Sequence, residues 1–374
     1  MSIAACLMVR DEAEFLRACL SSLEGQVDAI YVTDTGSRDE SAAVARSFGA
    51  TVRSFPWRND FAAGRNASIA DVSEDWILVL DADDVLPPGE AARIRERLDS
   101  EACAATLCYS VQADYTPVRS VKILRNGLGA AFEGVIHENV GAWLSLQMTR
   151  GWKRQDLDLT VIHTGYVPAA MPGKVSRNLP LLDAEWLRGS ATASPERRCH
   201  IGAELGLALA YSDRRPEARQ FLSRLLEEFV SDKGSIGATT PDSALQVLIN
   251  LLWVLSEEGL AEEALSVAQT AEKAFGSTLA YCLHRGLAEL AIGHYADALE
   301  WLERFRNGVR PGSIEVPVPS EYLGSGIWRA LGLCHMGKRQ YREATDCFQR
   351  CVALDPGNPE HELRLLVAQR TLAQ

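Results

Sequence analysis

Apolar and polar positions alternate along this chain of 374 residues in two distinct ways. Over residues 3–110 short apolar runs of strand character are separated by segments with helical spacing. Strands are expected at Ile3–Val9, Ala29–Thr33, Thr51–Phe55 and Trp76–Leu80. Helices are expected at Glu12–Ser22, Ser37–Phe48, Ala62–Ala70 and Pro88–Leu98. A parallel return between neighbouring strands needs a crossover long enough to hold a helix, so this alternation predicts βαβ units and a mostly parallel sheet. Two more strands are expected near Ala105–Ser110 and Ser120–Leu124. Beyond about residue 170 clear strand signals stop, and apolar positions recur at i, i+3, i+4 and i+7, the spacing of one helical face.

The helical half also repeats itself. Gly332, Tyr341, Ala344 and Phe348 lie at offsets 0, 9, 12 and 16, and the same offsets give Gly286, Tyr295, Ala298 and Leu302. Gly206, Arg215, Ala218 and Leu222 form a third copy, and Leu252, Ala261, Ala264 and Ala268 a weaker one. The starting points are separated by 46, 34 and 46 residues. A helix–turn–helix unit of about 34 residues, twice enlarged by an insertion, is the tetratricopeptide pattern. The small residue at offset 0 and the alanine at offset 12 let helices approach closely, while larger apolar side chains fill the layer between them. The competing reading, a helical bundle with accidental spacing, would have to match three copies at nearly every position. The chain thus divides into an α/β domain over residues 1–180 and an all-α solenoid over residues 181–374.

Composition excludes some functions. The formal net charge of -12 argues against broad nucleic-acid or anionic-membrane binding, which needs a basic surface, but allows a local basic pocket for one diphosphate. No apolar run approaches the roughly 18 residues of a membrane helix. The N-terminal segment lacks a basic leader and reads as a first strand rather than a signal peptide. Nine cysteines show neither C-x-x-C nor zinc-like Cys/His spacing, and Cys347 and Cys351, one helical turn apart, read as packing residues. Reduced thiols point to a bacterial-type cytoplasm.

The chemistry concentrates where strands end. Trp76–Leu80 runs into Asp81, Asp83 and Asp84 within four residues. A buried strand delivering acids to its carboxyl end is how an open α/β sheet presents a site. Asp81 and Asp83, one residue apart, can share a hard divalent cation that carries phosphates. Asp34 ends the second strand, where it is either a contact to a base or ribose or a turn residue. Ser37 and Glu40 have the spacing of a capping box for the helix that follows. Arg65 and Asn66 lie in the first turns of the third helix, within reach of a nucleotide. His137 and Glu138 offer a base, and His163 a further metal ligand. Lys174 and Arg177, one turn apart, either neutralise a leaving diphosphate or form a solvated helix face. There is no G-x-x-x-x-G-K-[ST] loop, and Gly127-Leu128-Gly129 lacks the remainder of a dinucleotide fingerprint.

Taken in order, Leu7-Met8-Val9-Arg10-Asp11-Glu12, Thr33 to Asp39, Phe61 to Asn66 and Trp76 to Asp83 resemble family 2 glycosyltransferases of the Rossmann-like GT-A fold, a match covering roughly residues 1–180. With Ile136-His137-Glu138, His163-Thr164-Gly165-Tyr166 and the repeats, the chain looks like the bacterial subgroup that includes bacteriocin S-glycosyltransferases.

The resemblance implies a metal-dependent, inverting transfer of a sugar from a nucleotide donor, a UDP-sugar. It places Asp34 on the uracil or ribose, Arg65 on the base or diphosphate, and Arg10 and Glu12 among the nucleotide contacts. Asp83 and His163 would hold Mg²⁺ or Mn²⁺, with Asp81 on the ribose and metal-bound water of this DXD motif. Glu138 is the first choice for catalytic base and His137 the second, the usual downstream Glu-Asp motif being absent. The repeats suggest a peptide or protein acceptor, or a homodimer formed through them. Two other readings remain: a non-catalytic tetratricopeptide scaffold with a degenerate sugar-nucleotide domain, and a nucleotidyltransferase, which would want a basic glycine-rich loop after the first strand.

Overall fold

A computed structural model describes residues 1–111, 117–165, 171–189, 195–230, 241–310 and 313–373. The chain divides into two compact units, the first running to Glu185 and the second beginning at Trp186.

The first unit is built on an eight-stranded sheet. In chain order come β1 (Ile3–Val9), α1 (Ala13–Leu23), β2 (Ala29–Asp34), α2 (Ser41–Ser47), β3 (Thr51–Ser54), α3 (Phe61–Ile69) and β4 (Trp76–Leu80). They are followed by β5 (Asp84–Val85), α4 (Glu90–Arg97), β6 (Ala102–Val111), β7 (Val118–Arg125), α5 (Gly141–Thr149), β8 (Lys153–His163) and α6 (Met171–Gly189). The spatial order is β3-β2-β1-β4-β7-β6-β8-β5. The first four strands pair in parallel. Beyond β4 the sheet is mixed, because β7 runs antiparallel to both β4 and β6 while β8 runs parallel to β6.

Strand alternation sorts the core into two layers. Ile3, Ala5, Leu7 and Val9 of β1 pack with Leu16 and Leu20 of α1, Val44 of α2 and Ile94 of α4. Ala4 and Cys6 face the opposite layer with Ala62 of α3 and Trp143 and Leu144 of α5. The chain therefore winds to β2 and β3 over one face and crosses to β4 over the other. Strand order reverses between β1 and β4, and a crevice opens at the carboxyl ends of strands at such a reversal.

Two details depart from the sequence reading. The second helix begins at Ser41, not Ser37, with Glu40 as an N-cap whose side chain makes no capping bond. Ser37 and Asp39 instead act across loops: the Asp11 and Ala13 amides donate to Ser37 Oγ (3.0 Å) and Asp39 Oδ2 (3.0 Å). The Glu12 amide donates to Ser41 Oγ at 2.9 Å. Tertiary partners thus replaced the local capping box. The second departure is β8, whose exposed, polar beginning hides its alternation; burial becomes regular only from Leu157 onward.

The second unit contains the helix pairs α7 (Pro195–Tyr211) with α8 (Arg215–Phe229), α9 (Pro241–Glu257) with α10 (Ala261–Phe275), α11 (Leu279–Ala291) with α12 (Tyr295–Gly308), and α13 (Ser325–Gly337) with α14 (Tyr341–Leu354), then α15 (Pro359–Leu372). Offset 9 of every copy is the first residue of the second helix in its pair. A Cβ added at Gly286 would stand 2.7 Å from Leu302 Cγ, and one at Gly332 2.7 Å from Phe348 Cε1. Offsets 0 and 16 therefore touch. In the weaker copy the sizes are exchanged, with Leu252 at offset 0 and Ala268 at offset 16, both buried. Among the described residues no helix is long and apolar enough to cross a membrane. All nine cysteines are free thiols, and Cys347 and Cys351 are buried.

Candidate functional site

At the reversal between β1 and β4 lies a cavity of about 620 Å³. Its floor is the end of β1 (Met8, Val9, Arg10) with Glu12, and the end of β4 with Asp81, Ala82 and Asp83. Trp57, Asn59, Phe61 and Arg65 form one wall, Ile136, His137 and Glu138 another, and His163, Lys174, Arg177 and Asn178 a third. Of the twelve residues the sequence singled out for chemistry, ten line this cavity; Asp34 and Asn66 do not. Asp34 Oδ1 accepts from the amides of Gly36 (3.1 Å) and Ser37 (2.8 Å), so it closes the turn that brings Thr35 to the cavity wall. The turn role, left open in the sequence, is the one its geometry displays. Asn66 likewise turns away: it donates to Phe132 O and accepts from Phe132 N, tying down the loop before His137.

β4 is buried along its whole length, so the acids after it emerge from the apolar core. Arg65, only 6% exposed, spans two of the carboxylates. It donates to Asp81 Oδ1 at 2.5 Å, to Glu138 Oε1 at 3.2 Å and to the Leu80 carbonyl at 3.1 Å. Lys122, from β7, stands 3.5 Å from Asp81 Oδ2 and 3.1 Å from Asp84 Oδ2. Burial pushes the Asp81 carboxyl up, but Lys122 and Arg65 outweigh it and hold the group below the usual carboxylate range. Asp83 differs. Burial raises it, and the neighbouring Asp81 and Asp84 add to this against the pull of His163 and Lys174. Glu12 is also pushed up, to about 7, first by burial and then by Asp83.

Asp83 is held by its backbone. Its carbonyl accepts from Thr164 N (2.8 Å) and Thr164 Oγ1 (2.9 Å), and an added Cβ at Gly165 would collide with its carboxylate. His163 Nδ1 lies 3.3 Å from Asp83 Oδ1. Lys174 Nζ stands 3.9 Å from Asp83 Oδ2 and donates to the Gly165 carbonyl at 3.0 Å. Tyr166, next in that motif, lies outside the described residues. Arg177 sits over the Phe61 ring, itself edge-on to Trp57. Asn59 and His137 both adopt positive φ (55° and 51°), a region L side chains seldom enter and one that clusters at functional sites.

The donor set suits a hard divalent cation. Asp83, Asp84 and His163 place one ligand atom each within 4.8 Å of one another, and two of the three are carboxylates, the oxygen ligands such ions prefer. Asp81, expected with them, has each oxygen directed at a protein cation instead. Three residues of the site escaped the sequence reading as contributors: Asp84, Lys122 and Tyr109, whose hydroxyl donates to Asp84 Oδ1 at 2.8 Å. A lysine set between Val121 and the apolar pair Ile123-Leu124 was the available signal for a buried ionic partner.

Residues 5–166 match the family described as glycosyl transferase family 2, and residues 325–358 match a tetratricopeptide repeat. A TPR repeat-containing protein of Synechococcus elongatus is 41% identical over 170 residues, covering 44% of this chain and 42% of that protein. The SPbeta prophage-derived glycosyltransferase SunS of Bacillus subtilis is 24% identical over 240 residues, covering 61% and 54%. The chain thus spans about half the length of these curated relatives. Among solved structures, a mannosyltransferase from Pyrobaculum calidifontis in complex with GDP-Man and Mn²⁺ aligns at TM-score 0.41 and 13% identity, covering 60% of this chain and 74% of that one.

Proposed function

We propose, for a chain whose residues 5–166 are a family 2 glycosyltransferase domain and whose residues 325–358 are a tetratricopeptide repeat, that it transfers a sugar from a UDP-sugar donor to an acceptor. The observation that carries this reading is the cavity at the strand-order reversal, where Asp83, its carboxyl raised by burial, stands 3.9 Å from Lys174 and shares the lining with Arg177. Asp83 and His163 are the residues that would hold Mg²⁺ or Mn²⁺. When bound, such an ion stabilises the negative charge of the departing diphosphate by several kcal/mol. Lys174 and Arg177 line the same cavity and serve the same charge from the protein side. Arg10 and Glu12 at the end of β1 complete the donor wall, and Asp34 supports it by fixing the turn before Ser37.

The chemical step is a displacement at the anomeric carbon. The acceptor nucleophile forms its bond there as the bond to the diphosphate oxygen breaks, and a base takes the nucleophile's proton. Glu138 is assigned that proton. Arg65 engages its Oε1, so the proton is taken on Oε2, with the guanidinium fixing the carboxylate's orientation. His137, in the same wall, is the second candidate. The repeats are assigned to a peptide or protein acceptor, since stacked helix pairs offer extended concave surfaces for such ligands.

The test is direct. Asp83→Asn should lower transfer and donor hydrolysis by at least about 1,000-fold, about 4 kcal/mol, while the thermal midpoint stays the same or rises. Full activity in this variant across several UDP-sugars with Mn²⁺ would remove the assignment. In parallel, UDP with Mn²⁺ should raise the melting point of the wild-type chain; no shift with any nucleotide would leave only the scaffold reading.

A further inference from the structure

The acids leave β4 on a turn that ends in β5, the last strand in the sheet order. β5 and β8 pair antiparallel, with Asp84 opposite His163 and Val85 opposite Ile162. One step further along this ladder Asp83 meets Thr164. The Thr164 amide and hydroxyl both donate to the Asp83 carbonyl, at 2.8 and 2.9 Å. A carbonyl has two lone pairs, and here one residue engages both. The turn is also closed on its own side, where the Asp84 amide donates to the Asp81 carbonyl at 3.1 Å.

The next residue meets the side chain. A Cβ added at Gly165 would overlap Asp83 Oδ2 and stand 2.6 Å from its Cγ and 2.9 Å from its Cβ. Gly165 is buried, and its φ lies outside the left-handed region, so its backbone conformation suits any residue. Glycine is required there for space: the carboxylate fills the volume a methyl group would take. In the repeats the space left by Gly286 and Gly332 admits Leu302 and Phe348, which is packing. Setting a carboxylate against bare backbone costs desolvation that apolar filling would avoid, so stability alone gives no reason for it. The Gly165 carbonyl also accepts from Lys174 Nζ at 3.0 Å, while that nitrogen stands 3.9 Å from Asp83 Oδ2, beyond hydrogen-bonding reach. Neither Thr164 nor Gly165 lines the cavity.

We propose that Thr164 and Gly165 are positioning residues of the donor site: Thr164 clamps the main chain of Asp83, and Gly165 forms the seat that sets the direction of its carboxylate toward a divalent cation. This rests on the donor-site reading above, in which Asp83 holds the ion, and adds two residues that reading does not use. Both act through Asp83.

The experiment uses the full-length chain. Calorimetry with Mn²⁺ in the presence of UDP should show Gly165→Ala binding the metal about 10–100-fold more weakly than wild type, while UDP alone in EDTA binds within about twofold. A loss of Mn²⁺ affinity below about threefold, or an equal loss of UDP in EDTA, overturns the proposal. Thr164→Val removes the hydroxyl and keeps the amide; it should weaken Mn²⁺ about 3–10-fold, and Thr164→Ser, which retains the donor, should restore it. Serine as weak as valine would count against the clamp. A thermal double-mutant cycle isolates the seat: Gly165→Ala should lower the melting point of the wild-type chain by several degrees and leave that of Asp83→Gly unchanged. Equal losses in both backgrounds would mean that the methyl group meets something other than this carboxylate, and the seat would be refuted. Should Gly165→Ala not fold, the valine and serine variants of Thr164 decide. A wild-type chain that binds neither Mn²⁺ nor UDP sinks the donor-site reading instead, and the melting cycle then judges the seat by itself.

Discussion

The interiors of the two units are built on opposite principles. The repeat unit brings helices together by size matching, with Gly286 against Leu302 and Gly332 against Phe348. Each contact is apolar, local and repeated. The α/β unit, by contrast, gathers Asp81, Asp83, Asp84, Glu138, Arg65 and Lys122 around the end of one buried strand. Burying so many charges contributes little net stability, since desolvation of each ion offsets most of the attraction gained. Size matching explains itself as folding; the ionic cluster calls for a ligand.

Breaking the ionic side should have the largest effect. Arg65→Met leaves Asp81 and Glu138 without the cation they share, while Asp81, 37% exposed, keeps Lys122. The expected cost is about 2–4 kcal/mol of stability, below that of a fully buried pair because Asp81 is partly solvated, read from urea denaturation, together with loss of UDP binding. A loss confined to nucleotide affinity, with stability intact, would show the cluster to be better solvated than its burial implies. On the repeat side, Gly332→Ala puts a methyl group 2.7 Å from the Phe348 ring and should cost about 1–3 kcal/mol. Binding of UDP with Mn²⁺ should be unchanged. Coupled loss of both would show that the contrast between the units is not energetic independence.

The smallest effect is the most specific. Glu12 is raised to about 7 by burial and by Asp83. A carboxyl whose folded pKa exceeds its ordinary value of 4.5 supports the fold while protonated, and that support disappears as pH rises toward about 7. Glu12→Gln should therefore melt about 2–4 °C higher than wild type at pH 8 in EDTA, with no advantage at pH 4. An advantage that stays constant with pH would mean that side-chain packing, not charge, is responsible.

Much of this was legible before the structure. The βαβ order, the acids after Trp76–Leu80 and the repeat offsets all depend on local periodicity, which sequence records directly. What failed was local reasoning about groups that find distant partners. Ser37 and Glu40 have capping-box spacing, yet Ser37 spends its hydroxyl on Asp11, across two loops. Asp34 is drawn to its own turn, and Lys122, fifth in the VRSVKILR strand, gave no hint of which carboxylates it would reach.

The amino-acid order by itself determined where strands and helices alternate, which strand ends in acids, and that small and large residues would meet in successive helix pairs, because each follows from spacing along a few turns of chain. Only the tertiary structure decided that Asp84 is enclosed while Asp81 and Asp83 line the cavity. That choice depends on β7 and β8 arriving beside β4 and β5, with Lys122 and His163 approaching Asp84 from 38 and 79 residues away. Charge pairing over such separations is set by the sheet's topology, and topology is not written in any local pattern.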